Sequence, residues 1–254
     1  MDLEHFDIAH YTGHKALDEL FFTYSIYVNP IENVLVFCNI HTTRMNASGA
    51  PNANNILKNT SIQELEINNI DHIDCFHIGS SLRQLRTKEA EFCINTAIYF
   101  QSMMEADINH LVELYSLTFT NKSPSFKVKW KKFLDDYKAP QQIKNSFDLY
   151  FNNIYKGIRN PSIHPSKRVG LENPDLLRFS VVYENIMHGW FVFVFSLNIM
   201  HDAKIDYKDN WDEMCRRHNI PSTIDNNLFI KIEELSSAMY KKHINTINKQ
   251  SVKD

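Results

Sequence analysis

Apolar residues recur at helical spacing through the second half of the chain. The clearest series is Ile143, Phe147, Phe151, Ile154 and Ile158, whose steps of four, four, three and four residues are typical of one face of an amphipathic helix. We predict a helix from about Pro140 to Ile158. Similar patterns predict three other helices: a long one from about residue 88 to 115, a short basic one over 126–137, and a very apolar one from about 173 to 200.

The first 87 residues show a different texture. Phe22, Tyr24, Ile26 and Val28 alternate with more polar residues, a turn-like segment follows at 29–33, and a second apolar run covers 34–38. This alternation predicts a strand–turn–strand unit, although short apolar runs are ambiguous between strand and helix. The Asn-rich stretch that follows, 43–55, is predicted to be a flexible surface loop.

The predicted fold is mainly α. Six Gly and eight Pro in 254 residues are few, which disfavours turn-dense β-sandwiches. Four helices within 88–202, the most apolar one last, predict a helical bundle. The chain is therefore divided into a small mixed α/β N-terminal region (1–87, with a β-hairpin), a bundle (88–202) and C-terminal helices packed on it (203–254), at 209–217 and 225–243.

Composition narrows the compartment and the partners. The net charge of −3 gives no global attraction to nucleic acid, so any RNA must bind to a local basic patch. Four scattered Cys and a start without a signal-peptide pattern fit a reducing cytoplasm. The apolar run 186–200 is too short for a membrane span and contains polar residues, so a buried core helix is predicted instead of a membrane segment.

The residues with the most distinctive chemistry follow the third bundle helix. Arg159 and His164 are five positions apart in the sequence Arg-Asn-Pro-Ser-Ile-His, with a chain turn predicted at Pro161. A guanidinium binds phosphate with planar paired donors, and an imidazole exchanges protons near neutral pH. Asn160 can position a hydroxyl or hold the imidazole. Local positive charge is supplied nearby, by Lys156, Lys167, Arg168 and Arg178.

The segment resembles the R-N-x-x-x-H nuclease motif of the HEPN superfamily, a helical-bundle family with many RNA-cleaving toxins and phage-defence effectors. The likeness covers about residues 88–202, including the long helix with the sequence TAIYFQSMMEADIN. The strict motif is expected by chance about 0.04 times in a chain of this composition. The resemblance implies a HEPN-like bundle, with Arg159, Asn160 and His164 as catalytic residues and the four basic residues as an RNA-binding patch.

It further implies a metal-independent endoribonuclease that uses the ribose 2′-OH as nucleophile and leaves a 2′,3′-cyclic phosphate. Such proteins bring two motifs together in a homodimer, need no cofactor, and act as toxins or defence effectors with an antitoxin or regulatory partner. Two departures stand out: Pro161 and Pro165 stiffen the turn, and Ser166 replaces the Tyr that is modified in toxins paired with nucleotidyltransferase antitoxins.

Several alternatives stay open at this point. Arg159 can simply cap a helix C-terminus, and the bundle can be a non-catalytic module that binds a protein or a nucleotide. Glu105 is a candidate acid for orienting Arg159 or His164, or a partner in a structural salt bridge. The lysines at 127, 129, 131 and 132 are more typical of a solvated helix face than of an RNA groove. The spacings of His10 with His14, and of the His, Asp and Cys residues at 72–77, fit no common zinc pattern, so no metal site is predicted.

Overall fold

The computed structural model describes residues 3–44, 52–163, 174–221 and 224–251, and these are almost entirely helical. The helices are α1 (Leu3–Val28), α2 (Pro30–Arg44), α3 (Ala53–Asn59), α4 (His72–Leu114), α5 (Phe126–Asp136), α6 (Gln141–Tyr150), a π-helical segment (Phe151–Arg159), α7 (Asn160–Ile163), α8 (Phe179–His201), α9 (Tyr207–Arg217) and α10 (Asn226–Ser251). Short 3₁₀ turns occupy Ile62–Glu64, Ile67–Asn69 and Pro174–Leu177. The prediction of a mainly α fold is confirmed.

The predicted β-hairpin is wrong: within the described ranges the chain has no strand, and residues 22–38 belong to α1 and α2. The alternation of apolar residues from Phe22 to Val28 covers only two helical turns, and both end residues are 47% exposed. Over a longer window the buried residues follow helical spacing, as Leu20, Thr23 and Tyr27 illustrate. Pro30 is the first residue of α2, where its missing N–H has no intrahelical partner to lose.

The described chain forms two compact units that do not follow chain order. One contains residues 1–22 and 90–224, and the other contains 23–89 and 225–254. The division at 87 and 202 stays a prediction. Of the predicted loop 43–55, residues 45–51 lie outside the described residues, whereas α3 begins at Ala53. Both predicted C-terminal helices are present, as α9 in the first unit and α10 in the second.

The core of the first unit is built where α8 packs against α6 and α4. Gly189 marks the closest approach: a Cβ there would lie 2.5 Å from Phe100 and 2.8 Å from Tyr150. Both rings are fully buried. None of the helices in the described part of the chain is long and apolar enough to cross a membrane, and most of the apolar side chains of α8 are buried.

The second unit has a separate core, formed by apolar residues of α2, α3, α4 and α10. Gly79 of α4 lies close to α10, where its Cβ position is 3.2 Å from the Cβ of Met239. Lys242 of α10 donates hydrogen bonds to the backbone carbonyls of Ile67, Asn68 and Ile70. These bonds satisfy carbonyls of an irregular segment that would otherwise need water.

Candidate active site around Arg159

Arg159 is the last residue of a π-helical segment that continues α6. Its backbone pairs residues five apart, as in the bond from the Asn160 N–H to the Tyr155 carbonyl. Pro161 has no N–H, and its ring would clash with the carbonyl four residues earlier in an α-helix. A wider π register ahead of the proline relieves that conflict. Such π-helical irregularities occur often at functional sites.

The turn predicted at Pro161 is not where the sequence placed it. The chain stays helical through α7, and Ser162 donates a 2.6 Å hydrogen bond to the Ile158 carbonyl. Pro161 is therefore accommodated near the start of a helical turn, where a missing N–H costs little. Any reversal of the chain direction comes after Ile163.

The Arg159 guanidinium is held by two side chains. Nη1 donates a 3.1 Å hydrogen bond to Oδ1 of Asn160, and Nη2 lies 3.5 Å from Oε2 of Glu105 on α4. The guanidinium also lies over the Tyr155 ring, 5.5 Å from its centroid. Because a guanidinium has five N–H donors, these contacts orient it without using all of them.

The Arg159–Glu105 pair is a loose one. Its distance is at the upper end for a hydrogen bond, and the side chains are 22% and 45% exposed. Pairs with this exposure contribute between nothing and about 1 kcal/mol. The structure thus brings the predicted acid to the predicted arginine, in a contact weak enough to exchange for another anion.

The helix behind Arg159 is anchored in the core. Ile154 and Ile158 are fully buried, and so is Tyr150 one turn earlier. The Tyr150 hydroxyl donates a 2.6 Å hydrogen bond to Gln101 of α4, and burial raises the pKa of this phenol well above its ordinary value. Tyr150 is therefore a neutral structural donor that fixes the π segment against α4.

The basic residues predicted to surround the motif divide into two groups. Lys156 is exposed, with its ammonium 5.3 Å from the Phe151 ring centroid. Arg178 lies at the N-cap of α8 and is partly exposed. His164, Lys167 and Arg168 lie outside the described residues, so the predicted meeting of Arg159 with His164 stays a prediction.

The α5 lysines are mostly committed to local partners. Lys129 donates to Asn109 at 2.7 Å, Lys131 lies 3.4 Å from Asp148, and Lys132 lies 2.8 Å from Asp136. Trp130 is fully buried, so it cannot stack on a nucleic-acid base. These contacts favour the interpretation of α5 as a solvated helix with a packed inner face.

Sequence reasoning missed a set of polar contacts between α8 and the α6–π segment. Asn153 donates to Asn185 at 2.9 Å, and the Ser146 hydroxyl lies 3.2 Å from Nδ1 of His188. Burial lowers the pKa of His188, which keeps this imidazole neutral at pH 7. The only sequence signal was the occurrence of polar residues within the apolar α8 pattern.

Among the described residues, no group of three or more His, Cys, Asp or Glu side chains is arranged to hold a metal ion. Comparison with known proteins gives no assignment: no protein-family model, no curated protein and no solved structure matches this chain. The candidate site therefore stands on its own residues: an oriented, partly exposed arginine and its Asn and Glu partners at the end of a π-helical segment.

Proposed function

We propose that this protein is a metal-independent endoribonuclease of HEPN type, with the R-N-x-x-x-H segment as its active site. The observation that carries the proposal is the setting of Arg159. Its guanidinium is held by Asn160 and Glu105 but is still 22% exposed, as a phosphate-binding arginine must be. The sequence motif adds His164 as the proton-transfer group.

In this reaction Arg159 binds the scissile phosphate and stabilises the extra negative charge that develops on it. A phosphate displaces the loosely held Glu105 carboxylate, because a charge-assisted paired contact is stronger than a 3.5 Å surface pair. His164 takes the proton from the ribose 2′-OH or returns one to the 5′-oxygen. The 2′-oxygen then bonds to phosphorus as the bond to the 5′-oxygen breaks, giving a 2′,3′-cyclic phosphate and a 5′-hydroxyl.

The proposal includes a homodimer in which two such motifs face one cleft. One arginine and one histidine supply a single phosphate ligand and a single proton-transfer group, whereas in-line transesterification uses both a base and an acid. Lys156 and Arg178, together with Lys167 and Arg168, give the cleft the positive charge that a chain of net charge −3 otherwise lacks. The biological role proposed is that of a toxin or phage-defence effector in the cytoplasm.

One observation favours a second candidate function, a non-catalytic module that binds a protein or a nucleotide. Arg159 already has a carboxylate partner, so the pair can serve as a structural contact between α4 and the π segment. The two candidates differ in what Arg159 touches when RNA is present. Only the nuclease requires Arg159 to leave Glu105 for a phosphate.

The test is incubation of the purified protein with total and transfer RNA in EDTA, beside Arg159→Ala and His164→Ala variants of equal folded content. Cleavage by the wild type that both variants lose supports the nuclease. Cleavage that survives both substitutions excludes this motif as the active site. RNA binding without cleavage by any of the three proteins supports the non-catalytic module.

A further inference from the structure

A chain of three imidazoles and one carboxylate lies in the first unit, apart from Arg159. Nε2 of His10 lies 2.8 Å from Nε2 of His14, one turn later on α1. Nδ1 of His14 lies 3.2 Å from Nε2 of His218, which follows α9. Nδ1 of His218 lies 3.0 Å from the Asp18 carboxylate. None of these residues belongs to the proposed nuclease motif.

The carboxylate at one end fixes how the neutral imidazoles share their protons. A carboxylate only accepts, so Nδ1 of His218 carries the proton and its Nε2 carries a lone pair. That lone pair accepts from Nδ1–H of His14, which leaves a lone pair on Nε2 of His14. This lone pair points at His10, and the ring that carries it is held in orientation from behind.

The two Nε2 atoms are spaced as ligands of one metal ion. Nitrogen ligands about 2.0–2.1 Å from a metal are roughly 2.8–3.0 Å apart at a right angle and about 3.3 Å apart in a tetrahedron. The observed 2.8 Å matches the right-angle case, which is the geometry of tetragonal Cu²⁺ and Ni²⁺ sites. A change of tautomer at His10 moves its proton to Nδ1 and turns its Nε2 lone pair toward the same point.

His218 and Asp18 act on this site without touching the metal. A metal-bound histidine usually donates its other ring N–H to an acceptor, and that acceptor fixes the ring orientation and raises its basicity. His14 has this arrangement, because its Nδ1 faces His218 and His218 in turn faces Asp18. Since His218 approaches the far nitrogen of His14, the protein supplies two ligands and not three, in keeping with the absence of a three-residue cluster among the described residues.

The histidine pair borders a cavity of about 210 Å³. Its walls are mainly apolar, with Met103, Trp190, Phe193 and Leu197 among the lining residues. A Cβ on Gly13, between the two histidines, would lie 2.6 Å from the Met103 sulfur, so glycine lets this thioether approach α1. The remaining coordination positions of an ion at His10 and His14 are thus available to water or to a small molecule in the cavity.

A second histidine pair in the chain lacks this geometry. His72 and His243, both in the second unit, have stacked rings with centroids 5.6 Å apart. Their Nδ1 atoms are 3.5 Å apart, and Nδ1 of His243 also lies 3.0 Å from the His72 carbonyl. In stacked rings the lone pairs lie in parallel planes and do not converge on one point. This pair is therefore a matched control.

We infer that His10 and His14 form a bidentate binding site for a divalent late transition metal ion, with His218 and Asp18 orienting His14 and with open positions facing the cavity. The site is independent of the proposed nuclease, whose chemistry uses no metal.

The experiment is titration of untagged, full-length protein with Cu²⁺ and Ni²⁺, followed by calorimetry and, for Cu²⁺, by electron paramagnetic resonance. We expect one ion per chain and hyperfine splitting from two imidazole nitrogens. His10→Ala should abolish this binding while leaving the fold intact, since His10 is exposed. His72→Ala should bind like the wild type.

His218→Ala separates orientation from ligation. Loss of a group that orients a metal ligand typically weakens binding about 10–100-fold, so the two-nitrogen signal should persist at lower affinity. The inference is overturned if the wild type binds neither ion, if His10→Ala binds as the wild type does, or if His72→Ala alone removes the signal.

Discussion

Asp107 of α4 provides the most quantitative prediction, because it is a carboxyl buried without a cation partner. Its side chain is 3% exposed, and Oδ2 accepts a 2.7 Å hydrogen bond from the Ser196 hydroxyl of α8. Burial raises its pKa from the ordinary 3.8 to about 7, and the Ser196 hydrogen bond only partly opposes this. We expect Asp107→Asn, which keeps the shape and an acceptor oxygen, to remove the pH dependence that this group causes.

The sign follows from proton binding in the two states. The unfolded chain releases the Asp107 proton near pH 3.8, whereas the folded chain holds it until about pH 7. The folded state binds more protons between these values, so the wild type loses stability as the pH rises through this window. At about 1.4 kcal/mol per pH unit, the loss is about 4 kcal/mol once the pH exceeds 7.

The assay is urea unfolding of the wild type and Asp107→Asn at several pH values between 4 and 8. The gain in unfolding free energy of the variant should be near zero at the acid end and should grow to several kcal/mol at the alkaline end. Glu105→Gln is the control, because it changes the net charge equally at a half-exposed position of the same helix. An equal effect of Asp107→Asn at both ends of the range would refute the reasoning.

Three other substitutions test the packing and the site. Gly189→Ala should lower the free energy of unfolding by about 1–3 kcal/mol despite the better helix propensity of Ala, because the added methyl meets two buried rings; Gly79→Ala, with its nearest contact at 3.2 Å, should stay within about 1 kcal/mol of the wild type, and equal losses would contradict this packing. Tyr150→Phe should cost about 1–2 kcal/mol in the same assay by leaving a buried amide acceptor unpaired, and no loss would mean that water replaces the hydroxyl. Glu105→Gln should change thermal stability by less than about 1 kcal/mol but alter RNA cleavage by releasing Arg159; unchanged cleavage would show that the acid does not position the arginine.

The helices of the second half were predictable because their periodicity is long. Ile143, Phe147 and Ile158 repeat over four turns, and no strand can bury such a series on one face. The alternation at Phe22–Val28 failed because a window of seven residues carries both periods. The π-helical segment was not predictable, since a register shift of one residue leaves the apolar spacing nearly unchanged.

The candidate site was predictable only in part. Arg159 and Glu105 are 54 residues apart, yet Glu105 lies on the apolar face of its own helix, and this placement suggested that it reaches the motif. His218 carried no such signal: it meets His14 across 204 residues, through tertiary packing that no local pattern encodes. The i, i+4 spacing of His10 and His14 was visible in the sequence, but it gained meaning only from the measured 2.8 Å approach.

The most direct test of the nuclease proposal concerns the 2′-oxygen. Once a cleaved RNA is found, the same oligonucleotide is prepared with a single 2′-deoxy residue on the 5′ side of the scissile bond, and both are incubated with the protein in EDTA. The account predicts that the unmodified RNA yields a 2′,3′-cyclic phosphate, that the 2′-deoxy RNA is bound but not cut at that bond, and that Arg159→Ala cuts neither. Cleavage of the 2′-deoxy RNA at the same bond would contradict the account, because the nucleophile would then not be the ribose hydroxyl.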